Sequence, residues 1–131
     1  MNAQPKVLVV DDDPDILDAI TTVLSTQPYD IEQARDGLEC LEKVRHQIPD
    51  LIVLDLLMPK KDGFAVVREL RDNPKYARVP VLILTSVRED ASRRRYELET
   101  GLAMDVQDYV EKPISPIDLL ERVESLLRRS Q

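Results

Sequence analysis

Four short strand-like segments of this chain run directly into residues able to do chemistry. "KVLVV" is followed by Asp11 and Asp12, "LIVL" by Asp55, "VLIL" by Thr85 and Ser86, and "DYVE" by Lys112. A carboxylate at the end of a run as apolar as 51–54 is penalised by desolvation, so its position asks for a reason. Three carboxylates brought together also repel, and they persist as a group when positive charge sits among them. Lys112 supplies one charge and a divalent cation would supply two more. Hard oxygen ligands, with no His or Cys placed to help, suit Mg²⁺ better than Zn²⁺. With the cation held mainly by Asp11 and Asp12, Asp55 is left as a nucleophile toward a phosphoryl group. Mg²⁺ and Lys112 would then neutralise the equatorial oxygens as charge builds on them.

The elements that must position these residues alternate in type. Strands are expected at 6–10, 29–34, 51–55, 79–86 and 108–112. The first helix begins at Pro14 with Asp13 as N-cap, carries Ile16, Leu17, Ile20, Val23 and Leu24 on one face, and is ended by Gln27-Pro28. A second helix over 37–46 sets Leu38, Leu41 and Val44 along a core stripe. A third, capped by Asp62, runs from Gly63 to about Asn73 and buries Phe64, Val67 and Leu70. "REDASRRRYELET" (88–100) reads as a polar fourth helix. The fifth starts at Ser115-Pro116, with Asp118 completing a capping-box-like pair. Five βα repeats imply right-handed crossovers and a parallel sheet covered on both faces. Ligands gather at the carboxyl ends of such strands, which is where the acids, the hydroxyls and the ammonium fall.

Bulk properties narrow the function classes. The chain has 131 residues, enough for one domain with a real core. Its net charge of −7 argues against direct nucleic-acid binding, which needs clustered Lys and Arg. The lone Cys40 excludes an internal disulfide. Without a signal-peptide pattern or an apolar run of membrane-spanning length, the expectation is a cytoplasmic protein with no membrane partner.

The segments "VLVVDDD", "LIVLDLLMPKKDG", "VLILTS" and "YVEKP", taken in order, resemble the receiver domain of two-component response regulators. The resemblance implies a flavodoxin-like α/β fold, (βα)5 and doubly wound, with a five-stranded parallel sheet in the order 2-1-3-4-5. It implies a single receiver domain over 1–131, with its core at about 5–129. Carried over position by position, Asp55 is the phosphoacceptor, Asp12 a direct Mg²⁺ ligand and Asp11 an acid reaching the metal through water. The backbone carbonyl of Leu57 is a further ligand. Thr85 and Lys112 bind phosphoryl oxygens, with the small Ser86 leaving room beside them. Tyr109 is the aromatic that swings inward on activation, and the Lys112–Pro113 peptide is cis.

The implied function is a phosphorylation switch that takes its phosphoryl group from a histidine kinase or phosphotransfer protein. It signals through the face of the fourth helix, fifth strand and fifth helix, with a phosphorylation-dependent dimer among its forms. Such a chain is no enzyme beyond its own phosphoryl transfer and slow autodephosphorylation. A stand-alone receiver without an effector domain is expected; a receiver excised from a longer regulator or hybrid kinase is the alternative. One departure from the family pattern is the interval of 27 positions from Thr85 to Lys112, lengthened around "GLAMDVQ" (101–107).

Competing readings fail on single residues. A calcium loop counted from Asp11 needs Gly and Glu at its sixth and twelfth positions, where Ile16 and Thr22 stand. A phosphatase or mutase working through an aspartyl phosphate places a second acid two residues after the nucleophile; here that residue is Leu57. His46, near a helix end, and Cys40 read as structural, and Arg88 with the basic run 93–95 as a solvated face.

Overall fold

The computed structural model describes residues 4–56, 58, 62–86, 108–112 and 114–129. Five strands form one parallel sheet: β1 (Lys6–Val10), β2 (Asp30–Ala34), β3 (Leu51–Asp55), β4 (Val81–Ser86) and β5 (Asp108–Lys112). Their order is β2-β1-β3-β4-β5, as the resemblance implies. Helices α1 (Pro14–Leu24), α2 (Gly37–His46) and α3 (Gly63–Asp72) connect the first four strands, and a C-terminal helix (Pro116–Arg129) follows β5. The expected fourth helix over 88–100 lies outside the described residues.

Strand alternation sorts the sheet into two faces, because successive side chains point to opposite sides. Leu8, Val10, Ile52, Leu54, Val81 and Ile83 pack with α2 and α3, through Cys40, Leu41, Val44, Phe64, Val67 and Leu70. Val7, Val9, Leu51, Val53, Leu82 and Leu84 pack with α1 and the C-terminal helix, through Leu17, Ile20, Leu24, Leu119, Val123 and Leu126. All ten residues of β1 and β3 are buried, as strands covered on both sides must be. The chain runs from β1 outward to β2 and then back across to β3. With right-handed crossovers this reversal puts α1 on one face and α2 and α3 on the other.

Local chemistry sets the helix starts. Asp13 accepts from the amides of Asp15 and Ile16, Asp36 from Glu39, Asp62 from Ala65, and Ser115 from Asp118. Several boundaries and faces differ from expectation, and strand β2 starts at Asp30 rather than 29, with the Tyr29 amide donating to the Gln27 carbonyl in a turn. Helix α1 stops at Leu24, before Gln27-Pro28, because the hydroxyls of Ser25 and Thr26 donate back to the carbonyls of Thr21 and Val23 and draw the chain into tighter turns. Strand β4 starts at Val81 and not at 79: Val79 donates to Tyr76 in a turn, and Pro80 has no amide hydrogen for the ladder. Leu38 is 56% exposed. The buried face of α2 is Gly37, Cys40, Leu41 and Val44, an i, i+3, i+4, i+7 set, and Leu38 lies about a quarter-turn or more off that stripe.

Cys40 takes the inward position that Leu38 does not. Burial, reinforced by the nearby Asp36 and Glu39 carboxylates, raises its thiol from 9.0 to about 12. Two consequences can be measured. Iodoacetamide at pH 8 should leave Cys40 unlabelled in the folded chain and label it fully after denaturation. Because the folded pKa is raised, the stability carried by the neutral thiol is complete below pH 9 and is lost as pH rises toward 12. Denaturant midpoints should therefore fall across that window, and fall less in Cys40→Ala.

Gly63 marks where α3 meets the end of β3. A Cβ at this position would sit 2.7 Å from the Asp55 carbonyl oxygen and 2.7 Å from the Leu56 Cα. The Gly63 amide donates to the Leu56 carbonyl at 2.9 Å, so the close approach is itself hydrogen-bonded. Backbone on both sides leaves nothing flexible to give way. Gly63→Ala should lose about 1–3 kcal/mol of stability, read by urea denaturation followed by circular dichroism.

Candidate functional site

The topological switch point of this sheet lies between β1 and β3, where the chain direction across the sheet reverses. Val10 pairs with Leu54 in register, so Asp11 and Asp55, each one residue further on, leave the two central strands at the same level. Both continue the alternation of the face that holds α1 and the C-terminal helix. Asp11 is 2% and Asp55 5% exposed, whereas Asp12 is open to solvent. A carboxylate oxygen from each of Asp11, Asp12 and Asp55 lies within 4.8 Å of the others. The acids expected to meet do meet.

Their setting is fixed by backbone. The Asp11 amide donates to the Ala34 carbonyl of β2 at 3.1 Å, extending the ladder one residue past the strand. The Asp13 amide donates to one Asp11 carboxylate oxygen at 3.0 Å, turning the chain and orienting that side chain. Asp13 then caps α1, so its own carboxylate belongs to the helix start. After Asp55 the chain is anchored by Leu56, fully buried, and Met58, nearly so, both in the core beneath α2 and α3. Gly63 closes this loop against the strand.

This donor set fits a hard divalent cation. Three carboxylates supply oxygen only, one of them open to water, and no His or Cys belongs to the cluster. That is the pattern expected for an ion that keeps part of its hydration shell.

The remaining expected residues lie on β4 and β5 or outside the described residues. Leu84 is level with Asp55, and Val110 with Leu84. Thr85 is therefore one position past the level of Asp55, and Ser86, paired in register with Lys112, two positions past it. Ser86 and Lys112 end their strands and Thr85 is the last but one of β4, so all three lie toward the same edge of the sheet as the acids. Tyr109 is paired with Ile83, lower in the sheet. Leu57, Pro113 and the lengthened interval 101–107 lie outside the described residues.

Two contributors escape a reading of the sequence alone. One is the Asp13 amide, although an Asp two residues before a backbone N–H is a standard turn-forming arrangement and the "DDD" run carries the signal. The other is Gly63, whose need for close approach depends on a helix and a strand meeting and leaves no local mark.

Comparison with known proteins agrees with this geometry. The family model for the response regulator receiver domain matches residues 7–124. A probable transcriptional regulator, ycf27, of Porphyridium aerugineum is 42% identical over 124 residues, covering 95% of this chain and 48% of that protein. The alkaline phosphatase synthesis transcriptional regulatory protein PhoP of Bacillus subtilis is 39% identical over 126 residues, covering 96% and 50%. The chain thus spans about half the length of the curated relatives it matches. Among solved structures, the signal receiver domain of a histidine kinase from Syntrophus aciditrophicus superposes with a TM-score of 0.86 at 30% identity, covering 95% of this chain and 91% of that one. The chemotaxis protein CheY4 of Vibrio cholerae gives 0.78 at 29%, covering 95% and 99%. A match that runs from the first strand into the last helix takes in the whole candidate site, and the chain belongs to the response regulator receiver domain family.

Proposed function

We propose that this chain is a phosphorylation switch whose acceptor is Asp55. The observation that carries the reading is the meeting of Asp11, Asp12 and Asp55 within 4.8 Å at the switch point, with Asp55 nearly buried at the end of its strand. Asp55 is the nucleophile: its backbone is held by β3, and its carboxylate faces the other two acids across the gap between β1 and β3. Asp11 and Asp12, with the carboxylate of Asp55 and the carbonyl of Leu57, would hold Mg²⁺. When bound, the ion neutralises negative charge on an incoming phosphoryl group.

Phosphoryl transfer from a phosphohistidine breaks the P–N bond and forms a P–O bond to Asp55, leaving the donor histidine to regain a proton. Thr85 donates a hydrogen bond to a phosphoryl oxygen and Lys112 pairs with another, while Ser86 leaves space beside them. The product carries roughly −1.5 to −2 charge where the carboxylate carried about −1. That change draws Thr85 toward the new oxygens and lets Tyr109 turn inward, beside a cis Lys112–Pro113 peptide. The signal leaves through the surface of β5 and the C-terminal helix, together with the fourth helix expected from the sequence, and that surface also suits a phosphorylation-dependent dimer.

The donor is a histidine kinase or a phosphotransfer protein, and the switch works in the cytoplasm. No helix among the described residues is long and apolar enough to cross a membrane. Receiver chemistry here stops at the chain's own phosphorylation and slow loss of the group. Leu57 stands where a phosphatase would place its general acid–base, so the aspartyl phosphate has no side chain there to hasten hydrolysis. The receiver unit over 1–131 is the signalling module; the relatives of which it spans about half the length are named as transcriptional regulators.

Incubation with acetyl phosphate and Mg²⁺, followed by intact mass, tests the assignment. Wild type should gain one phosphoryl group, Asp55→Asn none, and chelation of Mg²⁺ should abolish the gain. An equal gain in Asp55→Asn would move the acceptor elsewhere. Asp12→Asn should weaken Mg²⁺ by at least about tenfold in calorimetric titration, equivalent to roughly 1.4 kcal/mol, while leaving the fold intact because its side chain is exposed.

A further inference from the structure

The amino-terminal edge of the sheet, opposite the carboxylate cluster, carries a hollow of about 230 Å³ between two loops. Ile48, Pro49 and Asp50 line it from the connection between α2 and β3. Lys75, Arg78, Val79 and Pro80 line it from the connection between α3 and β4. Pro49 and Val79 are buried and form an apolar base, while Ile48 is 46% exposed at the rim. The two cations are exposed, and neither has an ion pair among the described residues. The single acid of the lining, Asp50, accepts the Lys6 amide at 2.7 Å, which fixes its carboxylate in place without cancelling its charge.

The walls are braced. Arg71 donates from Nη1 to the carbonyls of Ala77 and Val79 at 3.2 and 2.8 Å. Tyr76 and Val79 close successive turns onto Asn73 and Tyr76. The Ile52 amide donates to the Pro80 carbonyl, joining the second loop to β3. The Asp50 amide donates to the Lys6 carbonyl, tying the other loop to β1. A braced concavity costs little ordering on binding.

From this we propose that the hollow docks a short acidic–apolar segment of a partner protein, one aliphatic side chain entering over Pro49 and Val79 while flanking carboxylates meet Lys75 and Arg78. Charge selects the occupant. The lining sets two cations, Lys75 and Arg78, against one acid, Asp50, in a chain with 25 acids against 18 bases; this local net positive charge beside an apolar base attracts a carboxylate-bearing segment and disfavours a basic one. Size agrees: the volume is below that of a site for a drug-sized ligand but suits one or two side chains. Two cations are also too few to grip a nucleic-acid backbone. Because the hollow and Asp55 lie at opposite ends of the strands, occupancy leaves the phosphoryl site open.

The test uses the full chain, labelled with ¹⁵N, and an acetylated, amidated hexapeptide of alternating Leu and Glu. Amide shifts confined to Ile48, Asp50 and residues 75–79, saturating at millimolar peptide and reduced by added salt, are expected. The double variant Lys75→Gln/Arg78→Gln should weaken the response about three- to fivefold, the effect of two exposed ion pairs. Asp55→Asn should bind as wild type does, which separates this site from phosphoryl transfer. No shifts up to the solubility limit, equal shifts with the Leu–Gln analogue, equal binding by the double variant, or the same shifts with a short DNA duplex would each overturn the proposal.

Discussion

The constraint on which the rest of the molecule depends is the juxtaposition of two buried acids. Asp11 and Asp55 are carried into the protein by the two most apolar strands, at 2% and 5% exposure and with oxygens no more than 4.8 Å apart. At an effective dielectric constant of about 20, like charges at that separation repel by on the order of 3 kcal/mol, a sizeable part of a domain's net stability of roughly 5–15 kcal/mol. Repulsion of this size is tolerated where positive charge can enter. The third acid, Asp12, is open to solvent and so adds ligand capacity without a third desolvation cost. A hard cation entering this site therefore relieves the repulsion between the acids.

Everything around the acids serves to prevent them from escaping one another. A side chain on a loop could swing away, but Asp55 is the last residue of a strand buried on both faces, and the Asp11 amide is still in the ladder through Ala34. The two core layers differ in what they hold still. The α2 and α3 side fixes the chain after Asp55 through Leu56 and Met58. The α1 and C-terminal-helix side packs beneath the acids themselves. Gly63 completes the arrangement, because only a residue without Cβ lets the start of α3 press on the Asp55–Leu56 backbone.

Much of this is readable in the sequence because its causes are local. An Asp or Ser before a Pro or an apolar stripe marks a helix start whatever the rest of the fold does, and the Asp13, Asp62 and Ser115 caps lie where the sequence places them. The acids are legible because a charge that closes an apolar run is costly to bury unless it has a task there. Leu38 misleads because three-residue steps look continuous over two turns, although Leu41 and Val44 share the 3.6-residue face with Gly37 and Cys40 and Leu38 falls outside it. The end of α1 misleads because a Pro is a conspicuous stop, while two hydroxyls bonding back to the helix are a quiet one. Gly63 and the hollow at the far edge have no signature, since each is made by segments that meet only in three dimensions.

The same physics gives the sheet's two edges different freedoms. Carboxyl-edge chemistry needs acids and strand-terminal polar groups at fixed register, so small displacements there would undo the cluster. The amino-terminal edge carries no such requirement. Its loops need only return the chain to the sheet, and here they do so with Pro49, Pro80 and the Arg71 brace, leaving Lys75 and Arg78 to face outward. A strand about five residues long separates the two edges by roughly 17 Å, beyond the Debye length of ~8 Å at physiological ionic strength. At that distance the exposed cations of one edge act on the acids of the other far more weakly than the acids act on one another. A surface that distant from the acids can therefore change its charge while the cluster keeps its geometry.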